Sequence, residues 1–172
     1  MSLFICPLCQ SPLQPAADTW CCDGSLHPKQ TSHPFDVARQ GYVNLLPVQQ
    51  KKSKAPGDSQ ESIDARKRFL NHGHYAPLQK LISQKMTELL SNDELIDKQD
   101  SKPVSWLDIG CGEGYYTQIM AQMGMDVIDT LIAADISKPA VVELAKVSKA
   151  IGRLWYQPRQ EDTAKTTAVY PL

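Results

Sequence analysis

No stretch of this chain approaches the roughly 20 consecutive apolar residues that a helix needs to cross a bilayer. The start, Met1-Ser2-Leu3-Phe4-Ile5-Cys6, lacks the charged opening and long apolar run of a secretory leader. Both absences lead to the expectation of a cytoplasmic protein with no membrane partner. Charge of one sign is also missing: the net value is −1 over 172 residues, so the molecule as a whole does not attract nucleic acid. No internal repeat is found. What is present is an ordinary globular balance, 42% apolar and 22% charged, which argues against disorder. The length suits one ordinary domain or two small ones.

Distribution says more than the totals. Residues 1–57 carry five Lys/Arg against three Asp, a net +2, and three of the five fall in Lys51-Lys52-Ser53-Lys54. Such a cluster can lie along phosphates, and it can equally be a solvated linker. Five cysteines occur, four of them in the first 22 residues. Without a leader, and with a sizeable remainder, clustered cysteines read as metal ligands rather than disulfides.

Residues 1–50 are rich in Cys, Pro, His and Gly and poor in helical periodicity, which predicts turns and short strands, with 41–46 as one strand. Residues 51–58 read as a basic linker. Asp58-Ser59-Gln60-Glu61 has capping-box spacing with Asp58 as N-cap, and the helix it opens should end near Gly73. Leu78, Leu81, Ile82, Met86, Leu89 and Leu90 recur at helical steps and predict a second helix with a packing stripe. A polar stretch, 91–103, leads to Val104–Ile109, read as a buried strand. A glycine turn, a helix from about Tyr115 to Met123, a strand through 130–134 and a helix capped by Ser137 complete the pattern. Strand, turn, helix, strand, helix opens a parallel α/β sheet.

Cys6-Pro7-Leu8-Cys9 presents two thiols on one tight turn, and Cys21, Cys22, His27 and His33 follow at ribbon-like distance. Zinc takes four such ligands in a tetrahedron. A piece this small buries little apolar surface, and metal binding would supply the missing folding energy in a closed, structural site. The plainer alternative for Cys6 and Cys9 is a pair of buried or redox-active thiols. Adjacent Cys21 and Cys22 point to opposite sides of an extended chain, so only one should reach the ion.

Leu107-Asp108-Ile109-Gly110-Cys111-Gly112-Glu113-Gly114 ends a strand and opens a helix. Glycines there allow a sharp turn and close backbone approach to a ligand. The string departs from the G-x-G-x-x-G of nicotinamide sites, and S-adenosylmethionine, lacking a pyrophosphate, needs no phosphate clasp. Asp135 closes the next strand 21 residues after Gly114, where a carboxylate can accept hydrogen bonds from ribose hydroxyls. Its alternative role is a turn or capping aspartate. Cys111 reads as a small packing residue.

Taken together, Cys6-Pro-Leu-Cys9, 33–47, Pro56-Gly-Asp-Ser59, Ala65-Arg-Lys-Arg-Phe-Leu70, Gly73-His-Tyr75 and 107–117 resemble the bacterial 23S rRNA (guanine-N1-)-methyltransferases, from residue 1 to about 149. The resemblance implies an α/β protein in which a Rossmann-type S-adenosylmethionine-binding sheet, here incomplete, follows a small zinc-ribbon module. The implied boundaries are 1–50 for the zinc-ribbon RNA-recognition module and 51–102 for the basic linker and two connecting helices. The first part of the methyltransferase domain then covers 103–150, and a divergent tail 151–172. It further implies structural zinc on Cys6, Cys9, Cys22 and His33, with His27 competing for the fourth place because the spacing from Cys22 is long. For the methyl donor it implies Tyr75, Gly112 and Glu113, and Asp108, Gly110, Gly114 and Asp135 fit the general methyltransferase pattern. A 23S rRNA hairpin is the implied partner, with a homodimer as a further expectation; no catalytic residue is assigned.

The sequence departs from that family after the helix capped by Ser137. Only 70 residues run from Pro103 to the end, and Gln157–Ala168 contains no bulky apolar residue. The tail resembles neither the expected next strand nor its loop, which we read as a frameshift or premature stop, with a partial gene model as the alternative. Two functions follow: an rRNA guanine-N1 methyltransferase, or an inactive fragment that keeps zinc and RNA binding. A small-molecule methyltransferase would share the glycine loop but leave Cys6, Cys9 and the basic linker unexplained.

Overall fold

The computed structural model of the chain describes residues 3–91, 104–123, 128–151 and 168–170. The polar stretch 92–103 and the tail segment 152–167, both singled out in the sequence, lie outside the described residues. Four short strands, β1 (Phe4–Ile5), β2 (Pro12–Gln14), β3 (Thr19–Cys22) and β4 (Pro34–Asp36), pair antiparallel in chain order. Their alternation is strict enough to give the module a core: Leu13, Trp20 and Cys22 are buried, while Gln14 and Cys21 face out. Period-2 geometry therefore turns Cys22 inward and Cys21 to solvent.

Strand β5 (Tyr42–Asn44) leaves this sheet and joins a second one, in the order β5–β8–β7–β6, with β8 at Ala168–Tyr170, β7 at Ile128–Ala134 and β6 at Val104–Ile109. All its pairings are parallel. Two cores meet at β5 and the residues after it. Tyr42 and Leu46 pack with Leu131, Val141 and Leu144, whereas Val43 and Leu45 pack with Cys6, Leu13 and Trp20. One short run thus serves as a wall shared by both regions. The tail, which resembles no strand expected of the family, contributes β8 from Ala168–Tyr170, the apolar residues that follow its polar run.

Helices α1 (Gln60–Asn71), α2 (Ala76–Leu90), α3 (Tyr115–Met123) and α4 (Lys138–Ile151) follow the sequence pattern, with three corrections. Ser59, not Asp58, is the N-cap of α1: its side chain accepts from the Ser62 N–H. The stripe on α2 is only partly a packing surface, since Met86 is buried but Leu78, Leu81 and Leu89 are exposed. Strand β6 is not buried on both faces either: Leu107 is 54% and Ile109 77% exposed. Leu107 and Ile109 share one face of the strand by its period of two, and that face has no covering layer among the described residues.

Candidate metal centre and cofactor loop

The turn after β1 is fixed by the backbone. Cys6 N–H donates to Ser11 O and Gln10 N–H to Cys6 O, both at 2.8 Å, which brings Cys6 and Cys9 to one side. Cys22 arrives from β3 and His33 from the residue before β4. The ligand atoms of these four residues all lie within 4.8 Å of one another. Cys9 Sγ is 3.7 Å from Cys22 Sγ, and His33 Nδ1 is 3.7 Å from Cys6 Sγ and 3.5 Å from Cys22 Sγ. Ligands about 2.3 Å (S) and 2.0–2.1 Å (N) from a tetrahedral zinc stand roughly 3.5–3.8 Å apart. The three measured edges match, so the donor set fits one structural zinc with no open position.

His27 is turned away from this use. Its Nδ1 accepts from the Lys29 and Thr31 N–H groups at 3.3 and 3.4 Å, and its ring meets His33 edge-on at 5.0 Å. Around the ligands, Ser11 is fully buried, accepts from the Leu26 N–H at 2.8 Å and lies 3.2 Å from Cys9 Sγ. Hydrogen bonding, chiefly from Ser11, brings the Cys9 thiol down to about 6, while burial pushes Cys6 up to about 11. A hydroxyl so placed orients a ligand and stabilises its thiolate. Cys22 Sγ is held likewise by the His33 N–H at 3.1 Å.

The second cluster is the turn between β6 and α3. Gly110, Gly112 and Gly114 have φ of +77°, +58° and +89°, values that L side chains rarely adopt. A Cβ on Gly114 would also meet Leu144 Cδ1 at 2.3 Å. The Gly110 and Cys111 N–H groups bond to Ala134 O, which ties the turn to the end of β7. Asp135 spans the same gap: Oδ2 accepts from the Gly112 N–H at 2.9 Å and Oδ1 from the Ser137 N–H at 2.7 Å. Asp108 accepts from the buried Thr117 hydroxyl at 2.6 Å. Glu113 is buried, and neither of its carboxylate oxygens has a hydrogen-bond partner among the described residues. Arg66 Nε stands 3.5 Å from it, close enough for charge pairing but long for a hydrogen bond.

The presumed linker reaches this turn too. Ser137 Oγ donates to Asp58 O at 2.8 Å, and a Cβ on Gly57 would lie 2.7 Å from Ser137 Cα. Pro56-Gly57-Asp58-Ser59 is therefore packed against the start of α4, beside Asp135.

Residues 4–54 match the family described as the N-terminal zinc ribbon of RlmA. Over 154 residues, 87% of this chain, the sequence is 34% identical to the 23S rRNA (guanine(748)-N(1))-methyltransferase of Streptomyces fradiae. It is 31% identical over 155 residues to a candidate 23S rRNA (guanine-N(1)-)-methyltransferase of Micromonospora griseorubida. It is also 32% identical over 152 residues to YxjB of Bacillus subtilis strain 168. Over most of its length the chain is similar to proteins named as 23S rRNA guanine-N1 methyltransferases. It spans about half the length of these relatives, 48%, 48% and 47% respectively.

The segment similar to that zinc ribbon, residues 4–54, holds the cysteine and histidine cluster that the sequence placed there. The structure brings together Cys6, Cys9, Cys22 and His33 and leaves Cys21 exposed. Asp108, Gly110, Gly112, Glu113, Gly114 and Asp135 gather at the β6–α3 turn. Tyr75 stands 41% exposed at the start of α2. The Tyr116 phenol is raised by burial first and then by Tyr115 and Tyr75. Cys111 is a packing residue as expected, its thiol pushed up by burial first and then by Asp108 and Asp135. Sequence reasoning missed Ser11, Thr117, Ser137's bond to Asp58 and Arg66. The signal for the last two was present: Pro56–Ser59 and 65–70 both stood among the family strings, but composition alone read the first as linker. No helix among the described residues is long and apolar enough to cross a membrane.

Proposed function

We propose that this chain is the zinc-ribbon and donor-binding portion of a 23S rRNA guanine-N1 methyltransferase, with the parallel strands forming one half of a Rossmann-type sheet. The observation that carries the reading is the positive-φ glycine turn between β6 and α3, clamped by Asp135 and joined through Pro56–Ser59 to a zinc ribbon. Bound S-adenosylmethionine would supply an activated methyl group for in-line displacement by guanine N1. This chain's own residues then have three tasks: the glycine turn gives close approach, Asp135 retains lone pairs for ribose hydroxyls, and Tyr75 borders the site. Holding donor and acceptor in line removes much of the orientational cost. Guanine N1 lies on the pairing edge, so the target must be unpaired or flipped out. The ribbon and Lys51, Lys52 and Lys54 would face the phosphates of an rRNA hairpin. A cytoplasmic location follows from that substrate. The division into 1–50, 51–102, 103–150 and 151–172 is crossed by β5, by Pro56–Ser59 and by β8, all of which join the sheet region. Nothing here requires a homodimer.

A second reading is a module that binds zinc and RNA without turnover. The exposed face of β6 favours it, since a donor site needs a covered sheet beneath it. One experiment separates the two. In cells lacking other copies of the activity, N1-methylguanine blocks pairing and stops reverse transcription on 23S rRNA. Expression of this chain should restore the stop. Binding of S-adenosylmethionine without a stop leaves the second reading, and absence of both zinc and donor binding overturns the first.

A further inference from the structure

Arg66 is the feature that the proposed function does not use. It projects from α1 over the glycine turn: a Cβ built at Gly112 would lie 3.6 Å from its Cζ and Nη2 and 3.8 Å from Nη1, which is what a guanidinium lying face-on to the glycine gives. Its two ion pairs are loose, 3.5 Å to Glu113 and 4.0 Å to Asp58, and its side chain is 47% exposed. A guanidinium offers five N–H donors in a planar fork suited to a carboxylate. Beneath it Glu113, 5% exposed, keeps two buried carboxylate oxygens without hydrogen bonds, at a cost that persists only if another group completes them. A cation and an anion, both short of hydrogen bonds, sit side by side over a backbone floor with no side chain to fill it.

A zwitterion completes both. From this pairing we propose that Arg66 and Glu113 are the receptor for the α-amino-acid end of the methyl donor, Arg66 taking the α-carboxylate and Glu113 the α-ammonium. The inference rests on the methyl-donor reading above and adds to it the residue that distinguishes an amino-acid-bearing nucleoside from one without. An α-ammonium and α-carboxylate are separated by one carbon, so neighbouring partners of opposite sign are the complement they need. Asp58 stands 4.0 Å from the guanidinium on its other side, and its backbone is fixed by the Ser137 hydroxyl bond to Asp58 O.

The test compares two probes on the full chain by calorimetry: S-adenosylhomocysteine, and 5′-methylthioadenosine, which lacks the amino-acid end. In Arg66→Gln, affinity for S-adenosylhomocysteine should fall at least tenfold while that for 5′-methylthioadenosine stays within twofold. Arg66→Lys should lie between, keeping the charge but losing the fork. Unchanged affinity for S-adenosylhomocysteine overturns the proposal. An equal fall for both probes also overturns it, because Arg66 would then only brace the loop. If the unaltered chain binds neither probe, the methyl-donor reading itself fails, an outcome distinct from either.

Discussion

The zinc ribbon and the parallel sheet solve the same problem of closure in opposite ways. In the ribbon, strands of two to four residues bury Leu13 and Trp20 to 2% exposure or less, and four ligands close the open end. Its exposed Leu8 and Leu26 sit singly on turns, and Leu3 and Ile5 stand exposed at its first strand. In the sheet, longer strands with stronger hydrophobic patterning leave Leu107 and Ile109 bare on β6, and α2 shows Leu78, Leu81 and Leu89. Metal ligation closes a small fold locally, whereas a parallel sheet must be covered on both faces. Size and hydrophobicity are thus poor guides to which region is self-sufficient.

The largest effect should come from taking the metal away. Chelation, or Cys22→Ser, removes a contribution of about 10 kcal/mol or more in apparent terms, beyond what the ribbon's small core can replace. Zinc analysis should fall from one ion per chain, and amide protons in 12–22 should lose protection while the helical circular dichroism of α1 to α4 persists. If those amides stay protected without metal, the ribbon is held by packing and the contrast collapses.

Within the sheet region the comparison sharpens between two faces. Leu144 is 1% exposed, in the core with Val141 and Leu131, so Leu144→Ala should cost about 2–5 kcal/mol by denaturant unfolding. Ile109→Ser, at a position 77% exposed, should stay within about 0.5 kcal/mol and reduce binding of a hydrophobic dye. An Ile109→Ser cost comparable with that of Leu144→Ala would show that something covers β6 in solution.

The ribbon was legible because its signals are local. Two cysteines share one turn, and a period-2 strand lets only one of Cys21 and Cys22 face the ion, although the choice of Cys22 came from the resemblance and its burial from the fold. The glycine turn was legible for the same reason, each glycine marking a backbone value that other residues avoid. What the sequence hid was long-range. Nothing in Lys54–Ser59 announces that Gly57 will touch Ser137, 80 positions away, and a basic, Pro-Gly stretch has the composition of a linker. The choice between His27 and His33 also stayed open, because spacing allows both, and in the fold it is His33 whose Nδ1 stands with the cysteine sulfurs. Strand β6 was misread because an apolar run predicts what a strand prefers to bury, not whether a neighbour arrives to bury it.

The smallest effect concerns the tie between α1 and α4, which holds the Arg66-bearing helix against the sheet region without metal. Glu143, with 10% side-chain exposure, accepts from Lys67 at 3.0 Å, and hydrogen bonds from Lys146 and Lys67 hold its carboxyl below the usual range. A carboxyl lowered in the folded state stabilises above its unfolded value, near 4.3, and that contribution is lost as pH falls through the lowered folded value. Lys67 is 40% exposed, so solvent screening limits its share to less than about 1 kcal/mol. Lys67→Gln should therefore be slightly less stable than the unaltered chain at pH 7, with the gap closing toward pH 3. Acid also protonates the zinc ligands, so the helical signal at 222 nm is the proper readout rather than Trp20. A gap that stays constant down to pH 3 would assign the Lys67 effect to its aliphatic stem packing on α4, and the ion pair would then contribute nothing to the tie.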